Sequence, residues 1–168
     1  MQIEYRDFLI RDWQPTDRDA AANLVKTVLA EYGLGWETNC GAGTDKDAVE
    51  IEQYYWQTGG EFWVVEAADL IVGTGGYYPI DRADEQTGRA VEIRKMYLLP
   101  EVRGQGLGKF LLGQLEGAIA AKGYQSIWVE TATVFKAAVA MYEKNGYLPE
   151  DRVETSRCDR AYRKQLQP

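Results

Sequence analysis

Arg103-Gly104-Gln105-Gly106-Leu107-Gly108-Lys109 brings three glycines and two cations together in seven residues. Before it, Val91, Ile93, Met96, Leu98 and Leu99 mix with charged residues in a strand-like pattern, which Pro100 stops by removing an N–H donor. After it, Leu107, Leu111, Leu115 and Ala118 recur at helical spacing. The glycines therefore fall where a strand hands over to a helix N-terminus. The first backbone N–H groups of a helix have no intrahelical partner, and the helix dipole puts partial positive charge there. Glycine lets an anion approach that backbone without a Cβ in the way, and Arg103 and Lys109 add full charges. The pattern predicts a phosphate-binding turn; the plainer alternative is a strand-to-helix connection with no ligand.

Spacing narrows the kind of phosphate loop. A nucleotide triphosphatase needs G-x-x-x-x-G-K-[ST], whereas only three residues separate Gly104 from Gly108, and Phe110 offers no hydroxyl to magnesium. A dinucleotide fingerprint needs a glycine where Lys109 stands. The chain also has no histidine, so acid–base chemistry must come from Glu, Asp, Tyr, Lys, water or the backbone.

What remains, Arg-x-x-Gly-x-Gly over Arg103 to Gly108, resembles the GNAT superfamily of N-acetyltransferases. The resemblance runs from Glu92-Ile93-Arg94-Lys95-Met96-Tyr97-Leu98 through the loop, and resumes at Ala138-Val139-Ala140-Met141-Tyr142-Glu143-Lys144-Asn145-Gly146-Tyr147. It implies that the loop, Arg103, Gly104, Gln105, Gly106, Leu107, Gly108 and Lys109, holds the pyrophosphate of acetyl-CoA. It implies further that backbone groups at Met96 and Leu98 pair with the pantetheine arm and polarise the thioester carbonyl. Phe135 and Ala138, on the later helix, are expected beside the cofactor. Many members carry Asn seven residues before the motif's tyrosine; Phe135 stands there, so no side-chain amide contact is expected from it. By the same resemblance Glu92 is the base, acting through water, and Tyr142 the acid, with direct attack by the amine in a ternary complex. The structural alternatives are an ion-paired strand carboxylate and a packed core tyrosine.

Several elements must position these residues. Phe8 to Trp13 alternates as a strand that Pro15 closes, and Thr16 with Asp19 has the capping-box pattern of a helix carrying Ala21, Val25, Val28, Leu29 and Tyr32 to Gly33. Gly-rich 34–43 reads as a loop, and Thr44 with Asp47 opens a second capped helix with Ala48, Ile51 and Tyr55 on one side. Phe62–Glu66, Leu70–Gly73 and Arg89–Leu99 read as an antiparallel meander, with Gly75-Gly76 marking a bulge. Ser126–Thr131 follows the central helix and should lie parallel to 92–98. A helix over Val134–Lys144 and a last strand over Cys158–Lys164 complete an α/β chain. The expected fold is a GNAT-like, mixed but mostly antiparallel twisted sheet of six to seven strands with about four helices, in a single domain over 1–168.

With 168 residues and 45% apolar content, one domain can bury a core. No apolar run is long enough to span a membrane and the N-terminus is charged, so a soluble cytoplasmic protein with no membrane partner is expected. Cys40 and Cys158 lie in unrelated contexts, with neither a disulfide framework nor a metal site implied by spacing. A formal net charge of −7 argues against nucleic-acid binding, and Arg94, Lys95, Arg103 and Lys109 are expected to gather positive charge near the loop. Glu31, Glu37, Asp45, Asp47, Glu50, Glu52 and Glu61 are opposed only by Lys46 between residues 31 and 61. In the family this segment builds the acceptor site, which points to a cationic, partly apolar amine; a solvated acidic face is the alternative. An exposed edge on the C-terminal strand permits a homodimer. Three readings stay open: an amine N-acetyltransferase, a non-catalytic acyl-CoA-binding module, and an enzyme whose acceptor is a protein amine.

Overall fold

The computed structural model describes residues 1–37, 45–81 and 89–166; Cys40, part of the glycine-rich loop and the turn at 82–88 lie outside them. Its strands are β1 (Gln2–Tyr5), β2 (Phe8–Asp12), β3 (Glu61–Ala67), β4 (Leu70–Ile80), β5 (Ala90–Leu98), β6 (Ser126–Thr131), β7 (Leu148–Glu150) and β8 (Arg160–Gln165), and its helices are α1 (Arg18–Glu31), α2 (Leu107–Ala121) and α3 (Lys136–Lys144). The strands form one sheet in the order β1-β2-β3-β4-β5-β6-β8-β7. All neighbours are antiparallel except β5 and β6, the pair joined through α2. A strand, helix and parallel strand in sequence require such a crossover.

The sheet is larger than the expected six to seven strands because short β1 and β7 cap its two edges. β7 covers the outer side of β8 from Ala161 to Arg163, so the C-terminal strand is not the sheet edge. Pro149 within β7 has no N–H to offer a further strand.

Local chemistry moved two other expectations. The first helix opens two residues early, as a 3-10 turn over Pro15–Asp17 whose capping box joins Gln14 to Asp17 rather than Thr16 to Asp19. Asp17 is fixed there by a paired contact from Arg11, at 2.7 and 3.0 Å, and by the Gln14 N–H at 2.8 Å. The second capped helix is instead a 3-10 turn, Asp45–Ala48, followed by a π turn, Glu52–Trp56. Asp45 and Asp47 are both buried, with their carboxylates turned into the molecule.

α2 packs Leu107, Leu111, Leu112, Leu115 and Ile119 into the main core with Val91 and Ile93 of β5. On the other side, Val25 and Leu29 of α1 meet Ala48, Tyr97 and Phe135. Gly75 on β4 permits close approach of α2, since a Cβ there would stand 3.3 Å from both Leu111 and Leu115. Among the described residues, no helix is long and apolar enough to cross a membrane.

Candidate functional site

β5 changes phase partway along. Tyr97 pairs with Thr74 and Arg94 with Gly76, so Lys95 and Met96 together oppose Gly75 alone. This is a β-bulge, and Lys95 takes φ +51° within it. Val91 and Ile93 face the α2 core before the bulge, and Met96 and Leu98 pack against it afterwards, while Tyr97 joins the α1 side. Without the extra residue, Lys95 and Tyr97 would have followed Ile93 into the α2 core. The bulge thus delivers Lys95 to the face that carries Glu92 and Arg94.

β5 also parts from β6. They pair only from Ala90–Ser126 to Ile93–Val129; β6 then continues with β8 to Thr131 and β5 with β4 to Leu98. Two cavities occupy the opening. The deeper, about 90 Å³, is lined by residues that include Glu92, Arg94, Lys95, Tyr142, Arg157 and Cys158. The outer, about 270 Å³, runs between α1, β5, the glycine turn and α3. Met96, Tyr97, Phe135 and Ala138 line both and form the wall between them. Phe135 is held there by Tyr32, with ring centres 4.6 Å apart, and by Tyr97 at 6.0 Å.

A chain of buried ions backs the deeper cavity. Lys95 Nζ lies 3.0 Å from carboxylate oxygens of both Asp45 and Asp47. Arg157 grips both oxygens of Asp45, at 2.9 and 2.7 Å, and Asp45 also accepts the Glu37 N–H at 3.0 Å. Arg94 Nε lies 3.2 Å from Asp47 and 3.9 Å from Glu92, and its Nη1 donates to Tyr78 at 2.7 Å. Burial alone would raise the Asp45 carboxyl, but the Arg157 hydrogen bonds and the Lys95 charge prevail and hold it at about 2. Burial likewise opposes the Lys95 ammonium, and Asp47 foremost among its partners holds it above the ordinary lysine value. Burial pushes the Tyr142 hydroxyl well up, keeping it protonated at neutral pH, and pushes the Cys158 thiol up to about 11. Tyr142 packs against Tyr147 and Tyr162, with centroids 5.4 and 6.4 Å away.

The outer cavity ends at the glycine turn. Gly104 and Gly106 adopt φ +77° and +85°, which turns the backbone into α2 with Gly106 as its N-cap. The helix ladder begins with Phe110 N–H donating to Gly106 at 3.0 Å; the N–H groups of Leu107, Gly108 and Lys109 take no acceptor among the described residues. Arg103, Gly104, Gly106, Gly108, Lys109, Met96, Leu98, Phe135 and Ala138 all line this cavity. Gln105 and Leu107 do not: the Gln105 carbonyl accepts the Tyr5 hydroxyl at 3.1 Å, and Leu107 is buried core.

The profile of the acetyltransferase (GNAT) family matches residues 28–147, from the last turn of α1 through the bulged strand and the glycine turn to α3. The chain belongs to the GNAT family of acetyltransferases. A relative in Escherichia coli strain K12, the uncharacterized N-acetyltransferase YjgM, is 34% identical over 131 residues, covering 78% of this chain and 76% of that protein. The probable N-acetyltransferase family 8 member 5 of mouse is 30% identical over 102 residues, and there the match spans only 44% of the relative. Among solved structures, a GNAT acetyltransferase from Staphylococcus aureus superposes with TM-score 0.82 at 20% identity, over 95% of this chain and 99% of that one. A predicted acetyltransferase from Clostridium acetobutylicum, solved with acetyl-CoA, superposes at 0.71 with 22% identity, over 88% and 94%.

This GNAT acetyltransferase departs from its sequence reading in how its charges are used. Arg94 and Lys95 do not gather at the phosphate turn: both are held by the aspartates below the deeper cavity. Arg103 does reach the outer cavity, but its guanidinium bonds both oxygens of Glu31 at 2.7 and 2.8 Å, and its Nε the Leu98 carbonyl at 2.8 Å. Nor is the acidic segment a solvated face throughout. Glu31, Asp45, Asp47, Glu52 and Glu61 are all paired, with Arg103, Lys95, Arg94, Arg157, Arg18 and Lys122 as their cations. Sequence reasoning placed Asp45 and Asp47 in the segment expected to build the acceptor site but not as partners of Lys95, Arg94 and Arg157, and it missed Tyr97 and Arg157 as parts of the site. One signal was available: the apolar spacing Val91, Ile93, Met96, Leu98 skips a beat where the bulge lies.

Proposed function

We propose that the chain is an active N-acetyltransferase that binds acetyl-CoA along the opening between β5 and α3 and transfers its acetyl group to an amine in the deeper cavity. The observation that carries this reading is the shared wall of Met96, Tyr97, Phe135 and Ala138, which joins a helix N-terminus with unpaired N–H groups to a buried carboxylate and a buried phenol. The turn suits a pyrophosphate: Gly104 and Gly106 present bare backbone, the N–H groups of Leu107, Gly108 and Lys109 have no acceptor among the described residues, and Lys109 is exposed. Backbone groups at Met96 and Leu98 would hold the pantetheine arm. The Clostridium neighbour, solved with acetyl-CoA, supports the same ligand here.

Bound acetyl-CoA supplies an activated acetyl thioester. Glu92, buried beside Arg94, accepts the proton of the attacking amine, directly or through water. Tyr142, protonated at neutral pH, gives its hydroxyl proton to the departing sulfur. The wall residues exclude water and align the two substrates, so that the reaction is a direct transfer in a ternary complex. A cytoplasmic location fits this reading, and cell fractionation tests it.

Calorimetric titration with acetyl-CoA, together with CoA release in the presence of amines, tests the assignment. Tyr142→Phe and Glu92→Gln should bind acetyl-CoA like the parent while turnover falls roughly 10²- to 10⁴-fold, the range for a positioned acid or base. Binding without turnover in the parent protein, across small amines and peptides alike, would leave a non-catalytic acyl-CoA-binding module instead.

A further inference from the structure

We propose that Arg157 binds a carboxylate on the acceptor, so that the amine acetylated belongs to a small amino-carboxylate such as an α-amino acid. This rests on the acetyltransferase reading above and specifies its second substrate.

Arg157 lines the deeper cavity together with Thr131 and Thr155. Its guanidinium is clamped end-on: Nη1 and Nη2 each bond one oxygen of Asp45, and Nη1 also reaches the Gly35 carbonyl at 2.9 Å. Those bonds leave Nε–H and the second Nη2–H, which lie side by side along the other edge of the plane. Neither has an acceptor among the described residues. That edge is itself a fork of the kind that takes a carboxylate in two parallel hydrogen bonds. The clamp also fixes its orientation, since Asp45 is wholly buried and tied to Lys95.

Glu130, also on the cavity wall, is turned to the backbone N–H groups of Glu154 and Thr155 at 2.8 and 2.7 Å, and Asp45 takes only the end of the Arg157 guanidinium, so among the described residues the side fork is the edge left for an acceptor's carboxylate. The cavity, at about 90 Å³, also suits a small acceptor.

The test compares matched acceptors on the purified protein, with CoA release followed by a thiol reagent: glycine, alanine and methionine, their amides, and the corresponding amines without a carboxyl group. We expect kcat/KM for the amino acids to exceed that for the amides by roughly 10²-fold or more, as for a site built to hydrogen-bond its substrate. Amides carry the less basic amine, so more of it is free at neutral pH, and reactivity alone would favour them. Arg157→Lys, which keeps a cation beside Asp45 but loses the fork, should raise KM for the amino acid at least about 10-fold and lower kcat/KM for the amino acid by a clearly larger factor than for the amide; an equal loss on both acceptors overturns the inference. Equal use of amino acids and amides overturns the inference. So does acetyl-CoA binding with no carboxylated amine acetylated. Absence of acetyl-CoA binding in calorimetry would instead sink the acetyltransferase reading, and this inference with it.

Discussion

Thr74 Oγ1 donates a 2.7 Å hydrogen bond to the carbonyl oxygen of Lys95, from β4 into the bulge of β5, with both residues buried. Lys95 sits there in a left-handed backbone conformation that an L-residue with a side chain rarely adopts. The bond supplies an acceptor's partner that the interrupted ladder does not. The bulge in turn decides which way Lys95 and Tyr97 face, so a small hydroxyl on one strand helps shape the cavity on the next.

Thr74→Val keeps the shape and removes the donor. It should cost about 1–3 kcal/mol in urea unfolding, the penalty for leaving a buried carbonyl unpaired. The acetyl-transfer rate should fall more than acetyl-CoA affinity does, because the glycine turn is untouched. Equal stability of variant and parent would show that the hydroxyl does not support the bulge.

Asp45 links acid stability to the site. Its carboxyl sits at about 2 in the folded chain against an ordinary 3.8, so the unfolded chain binds the proton more readily. The resulting stabilisation, about 2 kcal/mol, is fully present above pH 3.8 and is lost as pH falls toward 2. Asp45→Asn should flatten the stability profile across that window. At neutral pH it should destabilise by about 3–5 kcal/mol, since Lys95 and Arg157 keep their charges with a partner removed. Denaturant melts from pH 7 down to 2 check both statements.

Gly106 has two constraints at once: φ +85°, and a would-be Cβ 2.8 Å from the Tyr5 hydroxyl. Gly106→Ala should lose about 1–2 kcal/mol for the left-handed conformation, and acetyl-CoA affinity should drop as the turn reshapes. Combining it with Tyr5→Phe removes the atom the methyl group meets, so the double variant should be more stable than the sum of the two singles. Thermal melts and calorimetry on the three variants give the answer; strict additivity would show that no clash exists.

Cys158 lies on the wall of the deeper cavity with its thiol pushed up to about 11 by burial, against an ordinary 9.0. Iodoacetamide at neutral pH should label it about 100-fold more slowly than an ordinary thiol, because the thiolate is the reacting form. Peptide mass mapping separates it from Cys40. Labelling as fast as that of a free peptide thiol would contradict a thiol whose ionisation is suppressed by burial.

By itself the sequence determined the parts whose physics is local. Gly104, Gly106 and Gly108 between an alternating strand and a helical repeat mark a helix N-terminus with bare backbone, and no distant residue is needed to see it. The parallel pairing of 90–93 with 126–129 follows equally from the connection through α2. The charges were another matter. Asp45 and Asp47 read as part of an acidic acceptor-site segment or else of a solvated face, yet they meet Lys95, Arg94 and Arg157, and Asp45 lies 50 and 112 positions from two of these partners. Even the skipped beat in Val91, Ile93, Met96 and Leu98 shows only that β5 changes phase; it cannot say what stands opposite. A charge's role depends on its desolvation and on the ion placed against it, and both are set by which strands and turns the tertiary structure brings face to face.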